Sequence, residues 1–300
     1  MLTMRDAFFY RVFEHAKNNP EIMVLTSDFS APSFDRFRTE LPGQFINTGI
    51  SEQNTILVAA GLAKEGKTVF VTSIAPFITM RCYEQTRLYA ADMNLNIKIV
   101  AVGAGFSYNM AGATHHSVED IGLFRMLPNV QILSPSCNSL VEYFADWCCD
   151  NAIPTYVRLD RMNMSELYEG GINDVGFNVL KESSTMIIST GYMTHTALKV
   201  AEQTDVGIMD VWKLLPNEDV LLDALKQVKR LVTVEEHIFQ GGLGSYVCEL
   251  LSDRDISIST RRFALDFSKG FYHRYGTRDE MHDACGIGAD AIIKYIKENG

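Results

Sequence analysis

One acidic side chain, Glu52, stands where a carboxylate needs an explanation. It follows Gly49-Ile-Ser51 and opens a segment in which isoleucine and alanine recur at helical spacing, with Ser51 as the expected N-cap. A carboxylate facing a dry interior is unstable unless a partner meets it, although one on a first helical turn also complements the helix dipole. Glu52 is therefore either a dipole cap or an acid suited to proton exchange with a heterocyclic nitrogen.

A second candidate is the pair of histidines in Thr114-His115-His116. They follow the apolar segment 97–102 and the glycine-containing stretch Gly103–Gly112. A histidine on a loop beyond a strand end can serve as an acid, a base or a ligand for a hydroxyl group. Two solvated histidines on a surface loop would produce the same pattern, and spacing alone does not choose between these interpretations.

Two further motifs are basic or glycine-rich. Arg158 lies inside the apolar segment 155–159 and Arg161 follows it, where a guanidinium could bind an anionic substrate group or form a structural salt bridge. The residues Glu235-Glu-His237 with Gly241-Gly-Leu-Gly244 look like a phosphate loop. Because this loop has no lysine, tight packing of strand, turn and helix is the favoured interpretation.

The composition excludes several classes of partner. The 300 residues are 47% hydrophobic and carry a formal net charge of −10, whereas nucleic acids and anionic membranes require a basic face. We expect no transmembrane helix, because apolar runs of about 18 residues are absent, and the N-terminal residues lack the apolar core of a signal peptide. A cytoplasmic protein is therefore expected. The six cysteines lack metal-ligand spacing, so no metal site is predicted in this chain.

Short β-rich segments alternate with helical patterns, which predicts an α/β fold with a mainly parallel sheet. A helix is expected over about residues 77–92, after the β-rich segment 68–72. The predicted organisation is two α/β/α domains, residues 1–163 and the smaller 182–300, joined by a polar, glycine-containing linker over 164–181. The strand ends of the first domain would lie along one edge of its sheet, where open α/β sheets bind ligands.

In this order the motifs resemble the C-terminal portion of the transketolase family. Gly49-Ile-Ser-Glu52-Gln-Asn is similar to the family's thiamine-diphosphate motif, in which the glutamate contacts N1′ of the aminopyrimidine. Ala75-Pro-Phe77 through Tyr83-Glu-Gln resembles the segment whose aromatic residues pack against the pyrimidine ring. Ala113-Thr-His115 resembles the active-site histidine loop, and Thr233–His237 with its glycine-rich turn resembles the signature of the C-terminal domain.

The resemblance implies a pyrimidine-binding domain followed by a transketolase C-terminal domain, with thiamine diphosphate as the cofactor. It implies that Glu52 protonates N1′ and that Ile50, Phe77 and Tyr83 line the pyrimidine site. The implied reaction transfers a two-carbon ketol unit from a ketose to an aldehyde, with the cofactor as electron sink.

The same resemblance implies the substrate contacts. His115 would contact the hydroxyl or carbonyl oxygens of the sugar. Arg161, with Arg158 inside the preceding segment, would bind a terminal phosphate or another anion.

One family motif is missing. The diphosphate and its Mg²⁺ are held in this family by a Gly-Asp-Gly…Asn pattern, and no Gly-Asp-Gly occurs in this chain. The resemblance therefore implies a split enzyme in which an N-terminal-type subunit supplies the diphosphate and Mg²⁺ site. An α₂β₂ assembly is expected, with the cofactor shared between the two kinds of chain.

Two departures from the family pattern bear on the substrate. Ala111 stands where members commonly have an aspartate that binds a sugar hydroxyl, and Gly103 stands where many have a second histidine. A site that hydrogen-bonds a hydroxyl discriminates strongly between substrates. We therefore expect a modified sugar, such as a deoxy or branched one, rather than an ordinary ketose phosphate.

Alternatives remain at this stage. A synthase of the deoxyxylulose-phosphate type would decarboxylate pyruvate and add the two-carbon unit to an aldehyde. The beta subunit of a 2-oxoacid dehydrogenase has the same two domains, but the Glu52 and His115 motifs fit it less well. A non-catalytic module is a further class, and the presence of both Glu52 and His115 speaks against it.

Overall fold

The computed structural model describes residues 2–168 and 171–299, which form two compact units. The first unit contains the chain up to Ala104 together with Leu123–Leu133 and Cys137–Glu166. The second contains Gly105–Gly122, Ser134–Ser136 and the chain from Leu167 onward. The units therefore interleave along the sequence, and the predicted domain borders at residues 163 and 181 stay a proposal.

The first unit is built on parallel strands in the spatial order β5-β6-β4-β3-β1-β2. Nearly every residue of the central strands is buried, as expected for a sheet covered on both faces. The bounds of the strands are β1 Ile22–Thr26, β2 Phe45–Asn47, β3 Thr68–Ile74, β4 Ile97–Val102, β5 Gln131–Leu133 and β6 Thr155–Leu159.

The helices of the first part of the chain follow the expected alternation. Their bounds are α1 Met4–Ala16, α2 Pro32–Glu40, α3 Glu52–Lys64, α4 Ala75–Ile78, α5 Tyr83–Gln85, α6 Asp120–Arg125 and α7 Asn138–Asp150. The continuous helix expected over 77–92 is wrong, because the segment is α4, a 3₁₀ turn at Met80–Cys82, α5 and a π-helix at Thr86–Asp92. The break lies at Thr79, the C-cap of α4. Its hydroxyl donates to the Ala75 carbonyl at 2.6 Å, alongside the Thr79 N–H at 3.1 Å, and such back-bonding of a threonine bends helices.

The second unit has its own sheet, in the order β12-β11-β8-β9-β7. All neighbours are parallel except β7 and β9, which are antiparallel. The strand β7 lies inside the predicted linker, and only Phe177 of its five residues is fully buried. The bounds are β7 Phe177–Lys181, β8 Thr185–Ser189, β9 Gly207–Val211, β10 Lys213–Leu214, β11 Arg230–Ile238 and β12 Ser259–Leu265.

Five helices accompany this second sheet. Their bounds are α8 Met193–Ala201, α9 Glu218–Ala224, α10 Leu243–Asp253, α11 Arg278–Cys285 and α12 Ala289–Asn299. Apolar residues of α8 and α12 pack on β8 and β11 to form the core of the unit. The predicted class, two α/β domains with mainly parallel sheets, is confirmed. Among the described residues, no helix has the length and apolar character needed to cross a membrane.

The loop Gly105–Gly122, which carries His115, is part of the second unit because its own apolar residues lie in that core. Phe106 and Val118 are buried there. Gly105 and Ser117 exchange backbone hydrogen bonds of 2.8 and 3.0 Å, which close the base of the loop. The Ile238 N–H donates to the Val118 carbonyl at 2.9 Å. The loop is thus mounted on β11 at both ends of its buried part.

A buried ion pair supports the base of this loop. Arg278 donates to both oxygens of Glu236, at 2.9 and 2.6 Å, and His282 lies 2.5 Å from the first oxygen. Gly105 has φ +58°, and a Cβ on it would overlap the Glu236 carboxylate. Burial by itself would raise the pKa of Glu236, but Arg278 and then His282 outweigh it and hold the pKa well below its usual range.

We predict that Arg278→Met destabilises the chain by about 3–5 kcal/mol, because it leaves the buried Glu236 carboxylate without its main partner. The measurement is urea unfolding at neutral pH. A carboxylate with a lowered pKa contributes stability above its ordinary pKa, and that contribution is lost as the pH falls below about 4. The wild-type stability should therefore fall more steeply on acidification than that of the variant.

A matched control is Arg254→Met, which removes an exposed arginine that also pairs with two carboxylates, Glu218 and Asp219. Its side chain is 42% exposed, against 13% for Arg278. We expect the control to cost far less stability than Arg278→Met, because exposed ion pairs contribute little. Equal losses in the two variants would contradict the structural role given to Glu236.

Candidate active site

The turn before Glu52 is held by hydrogen bonds within the first unit. The side-chain oxygen of Asn47, at the end of β2, accepts the N–H groups of Gly49 and Asp28, each at 3.0 Å. Gly49 has φ +73°, a conformation that a residue with a Cβ rarely adopts. This turn directs the chain sharply from the strand end into α3.

A group of hydroxyls then fixes the first turn of α3. The Thr55 hydroxyl contacts the hydroxyls of Thr48 and Ser27 at 2.6 and 2.7 Å. Ser51 occupies the predicted N-cap position, but its side chain caps no helical N–H. Its hydroxyl donates instead to the Thr48 carbonyl at 2.9 Å. The capping role expected of Ser51 is therefore wrong, because the tight turn offers its hydroxyl a nearer acceptor.

Glu52 is the first residue of α3 and is only 3% exposed. Its Oε2 atom accepts a hydrogen bond of 2.6 Å from Nη1 of Arg81. The Arg81 guanidinium carbon also lies 4.4 Å from the centre of the Phe77 ring. The structure therefore brings together the predicted acid and the predicted aromatic residue around one arginine, a residue to which the sequence motif assigned no role.

The two other residues predicted to line the cofactor site differ in their surroundings. Ile50 precedes the helix and is 78% exposed, which is unusual for a large apolar side chain. Tyr83 is half-buried, and its hydroxyl donates to the Leu123 carbonyl at 3.0 Å. Burial raises the pKa of Tyr83. Tyr83 thus anchors the segment that carries Phe77 and Arg81, while Ile50 presents an apolar surface.

His115 lies on the loop of the second unit and is half-buried. Its Nδ1 atom is 3.0 Å from the Thr114 hydroxyl, and the Tyr108 ring lies 6.1 Å away between ring centres. His116 is buried against Phe106, and burial lowers its pKa. The two adjacent histidines are therefore different, since His116 packs into the loop and His115 keeps access to solvent.

The predicted anion-binding arginines belong to the first unit. Arg158 lies in β6, beside Ala101 of β4, and is 4% exposed. Arg161 follows the end of β6 and is exposed. Of the two, only Arg161 is an exposed residue at a strand end.

The glycine-rich turn of the second unit already contains an anion, which is the carboxylate of Glu235. Its two oxygens accept the N–H groups of Leu243 and Gly244 at 2.6 and 2.8 Å, at the start of α10. A Cβ on Gly242 would overlap this carboxylate. The favoured interpretation from the sequence, tight packing rather than a phosphate site, agrees with this geometry.

Two arginines of functional or structural importance, Arg81 and Arg278, were not predicted from the sequence, because each pairs with a glutamate far away in the chain. Arg81 lies 29 residues from Glu52, and Arg278 lies 42 residues from Glu236. The one signal in the sequence for Arg81 is its place four residues after Phe77, on the segment already predicted to face the cofactor. No group of three or more His, Cys, Asp or Glu side chains suited to a metal ion occurs within residues 2–168 and 171–299.

Comparison with protein families gives matches over most of the chain. Residues 1–166 match the pyrimidine-binding domain of transketolase, and residues 178–292 match the transketolase C-terminal domain. The first match covers Glu52, Phe77, Arg81 and His115. The order of the two domains is the one expected from the motifs.

Relatives of known name and a solved structure agree with these models. An apulose-4-phosphate transketolase subunit of Actinobacillus succinogenes is 31% identical over 94% of this chain and 94% of that protein. A 6-deoxy-6-sulfo-D-fructose transketolase subunit of a Clostridium species is 29% identical over 98% and 94% of the two chains. A structure described as a split gene transketolase, inactive beta4 tetramer, superposes with a TM-score of 0.87 at 29% identity, over 99% and 98% of the chains.

These matches extend over both units, so the resemblance seen in the motifs is confirmed. The chain belongs to the transketolase family and consists of that family's pyrimidine-binding domain followed by its C-terminal domain.

Proposed function

We propose that this chain is the pyrimidine-binding and C-terminal subunit of a split, thiamine-diphosphate-dependent transketolase. The enzyme transfers a two-carbon ketol unit from a ketose to an aldehyde in carbohydrate metabolism. Membership of the family implies dependence on thiamine diphosphate. The observation that carries the proposal is the buried Glu52 carboxylate at the start of α3, with the Phe77 ring in the same cluster.

These residues fit the aminopyrimidine half of the cofactor. Glu52 already accepts a hydrogen bond from a planar, nitrogen-rich donor, the Arg81 guanidinium, and that donor also stacks over Phe77. An aminopyrimidine makes the same two demands, a carboxylate partner and an aromatic neighbour. When bound, thiamine diphosphate supplies the electron sink for cleavage beside a carbonyl group.

Each protein group has a distinct task in this proposal. Glu52 holds and returns the proton at N1′ of the pyrimidine. Phe77 supports the pyrimidine ring, and Tyr83 anchors the segment that carries Phe77. Ile50 covers the pyrimidine ring with apolar surface. His115 contacts the oxygens of the sugar. Arg161 binds a terminal anionic group, since it is an exposed arginine that directly follows a strand end.

The buried position of Arg158 in β6 bears on its predicted substrate contact. A buried guanidinium must have partners inside the protein, so we assign the anion to Arg161. Contact between Arg158 and the substrate stays a prediction, as does the cytoplasmic location.

We propose that a second chain completes the site. It would carry the diphosphate site with its Mg²⁺, in an α₂β₂ assembly. Two observations support a partner, namely the absence of Gly-Asp-Gly from the sequence and the relatives of equal length that are named as subunits. The similar solved structure is a tetramer of beta chains described as inactive.

We propose a modified sugar as substrate. Relatives of this chain are named for apulose 4-phosphate and for 6-deoxy-6-sulfo-D-fructose. Ala111 carries most of the argument from this chain, because it is exposed on the His115 loop with no polar group. Gly103 contributes less to the argument, because its φ of +106° is a backbone conformation that by itself favours glycine at this position.

We predict that Glu52→Gln lowers kcat of the assembled enzyme by about 10²–10⁴-fold, the usual contribution of a positioned acid or base. The substitution preserves the shape of the side chain but replaces the ionisable carboxyl group with an amide that cannot act as an acid or base. Glu65→Gln, which changes an exposed glutamate just after the same helix, is the matched control and should retain full activity. A fully active Glu52→Gln enzyme would contradict the proton-transfer role given to Glu52.

We predict that thiamine diphosphate with Mg²⁺ binds weakly or not at all to this chain alone, and tightly once the partner is added. The reason is that this chain supplies only the pyrimidine half of the site. Isothermal titration calorimetry of the chain, the partner and their mixture makes the comparison. Tight binding to the isolated chain would contradict the split-site proposal.

We predict that the assembled enzyme turns over xylulose 5-phosphate with ribose 5-phosphate far more slowly than a modified ketose, and that Ala111→Asp raises kcat/KM for the ordinary pair. A site built to hydrogen-bond a substrate hydroxyl can reject the analogue that lacks it by about 10⁴–10⁵-fold. Ala111→Leu, which adds bulk without a polar group, should give no gain. Turnover of the ordinary pair at full rate by the wild type would refute the altered specificity, and CO₂ release from pyruvate would favour the synthase alternative.

A further inference from the structure

Arg81 stands between the two groups that the proposed function assigns to the pyrimidine. Its Nη1 atom is 2.6 Å from Oε2 of Glu52, and its guanidinium carbon is 4.4 Å from the centre of the Phe77 ring. The Arg81 side chain is 44% exposed, whereas that of Glu52 is 3% exposed. The guanidinium that contacts the buried carboxylate thus belongs to a side chain that is itself partly open to solvent.

The backbone that carries Arg81 is held while its side chain extends toward solvent. The side-chain amide of Gln53, next to Glu52 on α3, donates to the Arg81 carbonyl at 3.1 Å. The neighbouring Cys82 thiol contacts the Phe77 carbonyl at 3.2 Å. Since these contacts fix the 3₁₀ turn Met80–Cys82, a rearrangement at this site would involve the long arginine side chain rather than the chain path.

A guanidinium and an aminopyrimidine ask for the same surroundings. A guanidinium is planar, stacks on aromatic faces and donates hydrogen bonds to carboxylates. An aminopyrimidine is also planar and rich in nitrogen, and in the proposed function it stacks beside Phe77 and hydrogen-bonds to Glu52. A carboxylate oxygen held at 2.6 Å by Arg81 is not open to a second strong donor along the same direction.

We propose that Arg81 is an internal placeholder for the pyrimidine ring. Its guanidinium neutralises Glu52 and stacks on Phe77 until the cofactor displaces it toward solvent. This inference rests on the proposed function and adds a competition to it. The buried carboxylate then has a partner both before and after the cofactor binds, which avoids the cost of an unpaired buried charge.

The competition predicts an unusual result, in which loss of a contact inside the site tightens binding. In the assembled enzyme with saturating Mg²⁺, we expect Arg81→Met to bind thiamine diphosphate about three- to tenfold more tightly than the wild type, measured by calorimetry. That factor corresponds to one partly exposed ion pair and one cation–π contact that no longer need to be broken. Arg81→Lys, which keeps the charge but not the planar fork, should fall between the two.

A second measurement separates competition from a general change in the protein. In the chain without cofactor, Arg81→Met should lower the melting temperature, because Glu52 loses its partner. Adding Glu52→Gln to that variant should restore most of the loss. Arg87→Met, an exposed arginine on the same segment, is the matched control and should change neither the melting temperature nor the cofactor affinity.

The outcomes distinguish this inference from the proposed function. If the wild-type enzyme binds thiamine diphosphate and Arg81→Met binds it equally or less tightly, the placeholder is refuted while the function stands. If the assembled wild type binds no thiamine diphosphate, the proposed function fails. In that case the inference is tested with the hydroxymethyl aminopyrimidine fragment of thiamine, titrated into the single chain and followed by ligand-observed NMR. The inference survives only if this fragment binds Arg81→Met more tightly than it binds the wild type.

Discussion

The candidate site of the first unit depends on one buried interaction, the ion pair between Glu52, at the N-terminus of α3, and Arg81. The turn before α3 fixes the position of Glu52. Asn47 and Thr55 hold the chain by hydrogen bonds, and Gly49 has a backbone conformation that suits glycine. A strand, a tight turn and a helix thus act together to present one acid at a fixed position.

In the second unit, buried carboxylates also have partners within the protein, but there they stabilise the fold. Two of its glutamates, Glu235 and Glu236, are buried, and each is hydrogen-bonded within the protein. Glu235 accepts the first N–H groups of α10, and Glu236 pairs with Arg278 and His282. Both are structural, since one fills a turn that could otherwise bind an anion and the other supports the base of the His115 loop. A buried glutamate therefore stabilises the structure at Glu235 and Glu236, whereas we propose that the equally buried Glu52 takes part in the chemistry.

The helix that was expected over 77–92 shows how a local conflict can serve a site. Thr79 bonds back to the Ala75 carbonyl, and the chain then passes through a 3₁₀ turn and a π-helix. An unbroken helix would present its side chains along straight rows. In the broken segment, Arg81 contacts both the Phe77 ring and Glu52 of α3. Helical periodicity could not predict the contact between Arg81 and Glu52, because the two residues lie 29 positions apart in the sequence.

The sequence by itself determined the fold class, the order of the two domains and the family, because hydrophobic periodicity and short motifs are local properties. It also identified Glu52, Phe77 and His115 as candidates from their neighbours in the chain. Only the tertiary structure decided what these side chains touch. Arg81 meets Glu52, Arg278 meets Glu236, and the loop of His115 packs into the second unit's core through Phe106. These contacts join residues far apart in sequence, and burial and hydrogen-bond geometry, which no local pattern encodes, select them.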